Sequence, residues 1–365
     1  MFLSKELLKL LKNNNINYFV GVPDSILKNF SIDIEKKKNH IISTNEGSAI
    51  GFAAGYYLSK KKLCCVYLQN SGLGNAINPL SSITHSKVYS IPMLLMIGWR
   101  GSPNSKDEPQ HLVKGNITRE LLSLLKIKYC ILRNKKDFLK LKKLIKFSQE
   151  KKVPVACLIE KGVIKKSEST NTKYKKRNKF LRKDVIEHLL SKIKRQTRII
   201  STTGYTSREL NQIRLLNKNK KGKDFYMVGG MGHTSSLALG YSLFKNYETL
   251  CLDGDGSLLM HMGALGTVGK FAKKNFKHIL FNNNSHESVG GQKTISDNVN
   301  FEKLTKALGY KKYFMCKSLN SMKKKMNIFL KGKGPSFFEI QIDNGSMKNL
   351  GRPKNLLEIK EKFLS

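Results

Sequence analysis

The chain is short of acidic residues. Its 26 aspartates and glutamates stand against 67 lysines and arginines, a formal charge of +41 over 365 residues. An imbalance of that size raises nucleic acid as a partner, because clustered cations neutralise phosphates. The lysines, however, are scattered over every segment, as pairs and triplets in loops and near expected helix ends, and asparagine is abundant as well. That pattern is a general compositional bias rather than a binding stripe. No specific nucleic-acid partner is expected. Weak adhesion to polyanions at low salt is expected, and a positive field also helps to steer an anionic substrate.

Long apolar runs are missing too. None approaches the roughly 18–20 residues of a membrane span. The opening residues Met1-Phe2-Leu3-Ser4-Lys5-Glu6 carry an acid and lack a signal-peptide core. No membrane partner is expected, and the cytoplasm is the expected location. The six cysteines have neither CxxC nor any zinc-like spacing. Cys64, Cys65, Cys130, Cys157 and Cys251 lie in apolar, strand-like runs and Cys316 ends one, so buried reduced thiols are expected.

What is present is an alternation of short apolar runs with helical patterns. The length suits two domains. Leu63–Leu68 is continuously apolar, the pattern of a strand covered on both faces. Ser4 is expected to cap a first helix, another helix is expected from about Thr118, and Met347–Ser365 reads as a surface helix and tail. Residues 1–164 form one expected α/β unit. The basic, apolar-poor stretch Lys165–Lys183 is the expected linker, and residues 184–365 repeat the architecture. The fold class expected is α/β, with two open, mainly parallel, doubly wound sheets.

The most informative stretch is Cys251-Leu252-Asp253-Gly254-Asp255-Gly256-Ser257, read with Phe281-Asn282-Asn283-Asn284-Ser285. Thr249–Leu252 reads as a buried strand, Ser257 to about Ala272 as a helix, and His278–Phe281 as the next strand. Asp255 and Asn283 are 28 residues apart, room for one helix and one returning strand. They can therefore meet at the carboxyl ends of neighbouring parallel strands, where such sheets bind ligands. The chemistry suits a metal–diphosphate site. Mg²⁺ takes hard oxygens, here a carboxylate and an amide oxygen. Gly254 and Gly256 let backbone approach phosphate, and the helix starting near Ser257 aims its N–H groups at an anion.

Other residues are candidates by their own chemistry. Glu46 heads a helix and favours its dipole. Asp24 or Ser25, in Gly21-Val22-Pro23-Asp24-Ser25, can cap the following helix. The amides of Gln69–Asn75 can orient a ligand. Arg100, Lys106 and His111 lie on a polar loop and can grip an anion. His286 can donate to a substrate carboxylate or deliver a proton, since histidine titrates near neutral pH.

Several segments carry a wider resemblance. They include GVPDS (Gly21–Ser25), TNEGSAIGFAAGYY (Thr44–Tyr57), QNSGLGNAINPL (Gln69–Leu80), YSIPMLLMIGWRG (Tyr89–Gly101), KDEPQH (Lys106–His111), STTGYTSREL (Ser201–Leu210), MVGGMGH (Met227–His233), LDGDGSLLMHMGALGT (Leu252–Thr267) and HESVGGQ (His286–Gln292). Together with GDG and the following asparagines, they resemble the thiamine diphosphate (ThDP)-dependent decarboxylases, most narrowly those acting on phosphonopyruvate.

That resemblance implies a pyrimidine-binding domain followed by a diphosphate-binding domain, with ThDP and Mg²⁺ as cofactors. It implies at least a homodimer, with ThDP at the subunit interface. Glu46 matches the glutamate that faces the aminopyrimidine and shares a proton with it, and a carboxyl buried there has a raised pKa. Met231, beside Gly230, matches the apolar residue that bends the cofactor. Asp24 falls in a segment that faces the active site. Asp255, Asn283 and the Ser285 carbonyl are the implied metal ligands, although the run Asn282-Asn283-Asn284 leaves their register open by one residue. Arg100, Lys106, Arg208 and Lys293 are candidates for binding the phosphonate. The implied activity is that of a carboxy-lyase, converting 3-phosphonopyruvate to phosphonoacetaldehyde and CO₂ in the biosynthesis of phosphonates such as 2-aminoethylphosphonate. Two alternatives remain: a sulfopyruvate decarboxylase, and a polyanion-binding protein on an inactive ThDP scaffold.

Overall fold

The computed structural model describes residues 1–35, 37–103, 105–167, 180–217 and 221–365. They form two compact units, Met1–Thr172 with Val289–Gln292, and Lys173–Ser288 with Lys293–Ser365. Most of the expected linker, residues 168–179, lies outside the described residues. Its expected ends belong to regular elements: Lys165 to the strand Ile164–Lys165 and Lys183 to the helix Arg182–Lys192.

The strands of the first unit are β1 (Phe2–Leu3), β2 (Tyr18–Gly21), β3 (His40–Ile42), β4 (Cys64–Gln69), β5 (Leu94–Gly98), β6 (Lys128–Leu132), β7 (Val155–Ile159) and β8 (Ile164–Lys165). Those of the second are β9 (Arg198–Ser201), β10 (Lys223–Tyr226), β11 (Thr249–Gly254), β12 (Phe276–Asn282), β13 (Lys312–Cys316) and β14 (Ser336–Gln341). β1 and β8 pair separately. The two main sheets are six-stranded, β3-β2-β4-β5-β7-β6 and β10-β9-β11-β12-β14-β13. Every pairing in them is parallel. Counted in chain order, both read second, first, third, fourth, sixth, fifth. Each therefore reverses direction between its first and third strands, the point at which open α/β sheets form a ligand crevice.

The apolar strands explain this architecture. In β4, Cys64, Val66 and Leu68 enter one core cluster, while Cys65 and Tyr67 enter another. In β11, Leu250 and Leu252 pack on one side and Cys251 on the other; in β12, Ile279 and Phe281 oppose Phe276 and Leu280. A strand buried on both faces has no polar alternation to show. All six cysteines are buried and free. Among the described residues, no helix is long and apolar enough to cross a membrane.

Four local expectations change. The helix expected from Thr118 spans Pro109–Leu124, because proline is preorganised for the first helical turn. Ser4 lies inside its helix, and the Leu3 amide at the cap donates instead to the Glu6 carboxylate at 2.8 Å. The helix after β11 begins at Asp255 itself and breaks into Asp255–Met260 and Ala264–Phe271, around Gly263, a poor helix former. The tail is not purely surface: the helix Leu356–Leu364 buries Phe363 against Phe225 and Tyr241.

Phe337 of β14 is a packing hub. Its ring centroid lies 4.8 Å from that of His278, 5.5 Å from Tyr310 and 6.2 Å from Tyr313. Phe337→Ala is expected to cost about 3–5 kcal/mol, and Phe337→Leu less. Urea unfolding followed by far-UV dichroism checks this, and equal midpoints for the two variants would remove the hub role.

Candidate active site

In the second unit the chemistry gathers where β9, β11 and β12 end. Gly254 pairs with Phe281, so Asp255 and Asn282 leave neighbouring strands at the same level. Asp255 is buried, and its Oδ2 accepts hydrogen bonds from Thr294 Oγ1 at 2.5 Å and Ser296 Oγ at 3.0 Å. The Ser296 hydroxyl is also 3.1 Å from Asn282 Oδ1 and within bonding distance of Asn284 Oδ1. A hydroxyl has a single proton to give. Three acceptor oxygens thus crowd around one donor, an arrangement that suits a cation. Burial pushes the Asp255 pKa up, against the opposing pull of the Thr294 and Ser296 hydroxyls.

Asn283, the ligand expected from spacing, sits differently. Its Oδ1 accepts the Ser285 N–H at 3.2 Å, and its Nδ2 donates to Glu287 Oε2 at 3.1 Å. Glu287 in turn pairs with buried Arg182 at 2.9 Å, which also meets Glu209 at 3.2 Å. An amide oxygen has two lone pairs, and the Ser285 bond takes one. The turn itself needs Asn284 at φ +54°, left-handed geometry that asparagine tolerates. Ser285 is buried, and its backbone bridges to Lys293.

His286 packs on Gly256, where a Cβ would stand 2.8 Å from the imidazole Cε1. Burial lowers its pKa to about 4. The expectation of titration near neutrality is thereby corrected: at pH 7 this ring is a neutral imidazole.

Ser257 ties together the loops at this end of the sheet. Its Oγ is 2.8 Å from Thr202 Oγ1, after β9, and accepts the Gly232 N–H at 3.1 Å. Gly230 and Gly232 both have positive φ, so the Met231 loop is a tight turn. Met231 is half-buried and absent from the core. At Gly254 a Cβ would meet no protein atom within 4 Å, so packing within the chain does not demand a glycine there.

In the first unit, Glu46 heads the helix Glu46–Lys60, whose cap is Asn45, accepting the Ser48 N–H at 2.8 Å. Glu46 is 5% exposed. Its Oε2 accepts from Asn75 Nδ2 at 2.8 Å, and its Oε1 occupies the space that a side chain at Gly72 would fill. Burial raises its pKa, with Asn75 and the charge of Lys114 opposing. Asp24 is fully buried and accepts the Ile26 and Leu27 amides at 3.1 Å each; these residues precede the helix Lys28–Glu35, so Asp24 closes the turn before that helix rather than capping it as expected. Gln69, at the end of β4, donates to its other oxygen at 2.5 Å. Burial raises the pKa of Asp24 too, against the Gln69 bond. These two residues stand at the switch point of the first sheet.

The expected substrate cations divide. Arg100 is committed to Asp107 through both Nε, at 2.6 Å, and a terminal nitrogen, and to Ser25 Oγ at 3.2 Å. Arg208 donates to the Gly351 carbonyl at 3.1 Å and to the Leu350 carbonyl. Both guanidinium groups are thus already engaged by protein acceptors. Lys106 and Lys293 are exposed, and His111 lies in the first turn of its helix rather than in a loop. Sequence reasoning missed Thr294, Ser296, Asp107 and the Arg182–Glu287 pair. Only Asp107, inside the KDEPQH segment, and Glu287, inside the HESVGGQ segment, carried any signal.

His286 and His40, the latter also lowered to about 4 by burial, set a sign for acid stability. A histidine held neutral in the fold stabilises it above about pH 6.5, and that contribution is lost as pH falls towards 4. The Tm difference between the wild type and His286→Gln should therefore shift against the wild type from pH 6.5 to 4. A pH-independent difference in scanning calorimetry would contradict the burial argument.

A model of the thiamine pyrophosphate enzyme N-terminal TPP binding domain matches residues 1–121, and one of the C-terminal TPP binding domain matches residues 202–340. The phosphonopyruvate decarboxylase of Streptomyces viridochromogenes is 33% identical over 356 residues, covering 92% of this chain and 87% of the relative. That of Streptomyces hygroscopicus is 32% identical over 372 residues, covering 97% and 91%. The sulfopyruvate decarboxylase of Methanosarcina acetivorans is 27% identical over 311 residues, covering 80% and 78%. The chain thus belongs to the phosphonopyruvate decarboxylase family of thiamine pyrophosphate enzymes, as a ThDP-dependent 2-oxo-acid decarboxylase.

Proposed function

We propose that this enzyme converts 3-phosphonopyruvate to phosphonoacetaldehyde and CO₂, with ThDP and Mg²⁺, as a homo-oligomer serving phosphonate biosynthesis. The observation that carries the reading is Glu46, a buried carboxyl of raised pKa with one oxygen on Asn75 and the other against Gly72. Its raised pKa keeps a proton available at the carboxyl for the aminopyrimidine nitrogen. The choice of phosphonate follows the two Streptomyces relatives.

The donor set fits Mg²⁺, which takes hard oxygen ligands and usually keeps phosphate and water in its shell. Asp255 would hold it with an asparagine side-chain oxygen and the Ser285 carbonyl. Family spacing favours Asn283, whereas Asn282 and Asn284 share Ser296 with Asp255. Gly254, Gly256 and Ser257 would receive the diphosphate, and Gly230 and Met231 the bend of the cofactor. Bound there, the cofactor supplies an electron sink for the pair released as CO₂ leaves. His286, held neutral, serves as an N–H donor to the substrate carboxylate rather than as an acid. Asp24 and Gln69 orient the substrate from the first unit. The candidates for the phosphonate are Lys106, with His111 as a further donor, in the first unit and Lys293 in the second, and Arg100 holds the Lys106 loop in shape through Asp107. An oligomer is supported by the helix Glu46–Lys60, which leaves Gly51, Phe52, Gly55 and Leu58 exposed.

The first test is aldehyde formation from phosphonopyruvate with added ThDP and Mg²⁺. Glu46→Gln should lower kcat/KM by about 10²–10⁴. It should also be the more heat-stable protein above about pH 4.5, because a carboxyl of raised pKa costs stability once it ionises. Sulfopyruvate is assayed alongside, since the Methanosarcina relative makes it the second reading; a higher kcat/KM on the sulfonate would replace the substrate named here. Failure to bind ThDP would bring the polyanion-binding reading forward.

Two further outcomes follow. Lys106→Ala and Lys293→Ala should raise KM for phosphonopyruvate about tenfold or more and leave that for pyruvate nearly unchanged, while Arg100→Ala should impair both substrates. Alanine at 282, 283 and 284 in turn should weaken Mg²⁺ binding most at the true ligand, read by calorimetry in the presence of ThDP. That binding should also weaken on acidification, because protons compete for Asp255.

A further inference from the structure

Two to four residues earlier on the same strands, a different donor set is built into the core. Cys251 and Asp253 share one face of β11, and His278 pairs directly with Cys251 from β12. All three side chains are buried, and the thiol sulfur, a carboxylate oxygen and an imidazole nitrogen lie within 4.8 Å of one another. His278 Nε2 is a buried polar atom with no hydrogen-bond partner. Its neighbour Asp253 Oδ2 is 3.7 Å away. That is too long for an N–H···O bond, which closes to about 2.7–3.2 Å. It is close to the separation of two ligands on one cation: nitrogen and oxygen each about 2.0–2.1 Å from a tetrahedral Zn²⁺ stand roughly 3.3–3.4 Å apart.

The surroundings fit the same reading. The other ring nitrogen, His278 Nδ1, is 3.0 Å from the buried Tyr310 hydroxyl. Metal-binding histidines are generally held by such a bond at the nitrogen that does not bind metal, which fixes the tautomer. Asp253 is 1% exposed, and its Oδ1 takes the Gly254 N–H at 3.0 Å, leaving Oδ2 directed at the imidazole. We propose that Cys251, Asp253 and His278 bind a single Zn²⁺. Sulfur, nitrogen and oxygen donors together suit that borderline cation, and they disfavour Mg²⁺, which demands oxygen. The ion would staple β11 to β12 just before Asp255 and the asparagine run. It would hold in register the two strands that deliver the oxygen cluster, and it is separate from that cluster. Because all three donors are buried, loading accompanies folding.

The full-length chain is unfolded in chelator and refolded with Co²⁺, Mg²⁺ being added to occupy the oxygen cluster. The expected product carries a thiolate-to-cobalt charge-transfer band, and its X-ray absorption requires one sulfur among nitrogen and oxygen ligands. Cys251→Ser and His278→Gln should lose the band, and Cys316→Ser should keep it. Refolding with Zn²⁺ should raise the Tm of the wild type by several degrees and leave that of His278→Gln unmoved. A folded wild type without the band, a band that survives Cys251→Ser, or X-ray absorption showing no sulfur or several would each overturn the site. If neither variant refolds, the X-ray absorption of the wild type decides alone.

Discussion

The register of the β11–β12 ladder is the constraint on which the chemistry depends. Parallel strands run in one direction, so every loop leaving their carboxyl ends emerges on the same edge of the sheet. Pairing Gly254 with Phe281 sets Asp255 beside the asparagine run, and a slip of one residue would turn each side chain to the opposite face. The same ladder sets Cys251 opposite His278. Repetition of one strand order in both units creates two switch points, one marked by Asp24 and Gln69, the other by Thr202 and Asp255.

Burial of acids is the second organising theme. In a chain so rich in lysine, the carboxylates of the candidate sites are held mainly by uncharged donors, and the charges of Arg100 on Asp24 and Lys114 on Glu46 act only as lesser pulls. Asp24, Glu46 and Asp255 are buried and bonded chiefly to amides and hydroxyls, and burial raises the pKa of each. A carboxyl in that state can hold a proton or accept a metal, whereas a paired carboxylate serves structure. Asp107 and Glu287, bound to Arg100 and Arg182, are of the second kind. The environment thus separates the buried acids proposed for the site from acids paired with arginine, although the residue types are the same.

Donor hardness separates the two clusters on these strands. Around Asp255 every donor is oxygen, as a diphosphate-bound Mg²⁺ requires. At Cys251, Asp253 and His278 a sulfur and a nitrogen join one oxygen, which suits a softer cation. The boundary between them is the end of β11, where the chain leaves the core.

The sequence by itself determined the two-unit α/β fold, because continuous apolar strands alternating with helices have few other solutions. It also marked Glu46, Asp255 and the asparagine run, whose residue types and spacing carry the family pattern. Only tertiary structure decided which partners those groups have. That Arg100 and Arg208 are engaged, that His286 is neutral, and that Thr294 and Ser296 reach Asp255 are outcomes of packing between segments distant in sequence. Periodicity has no term for such contacts. The cysteines show the same division: their linear spacing excludes every familiar zinc motif, yet strand pairing places one of them against a histidine and an aspartate. Hydrogen-bonded ladders bring together residues that spacing along the chain keeps apart.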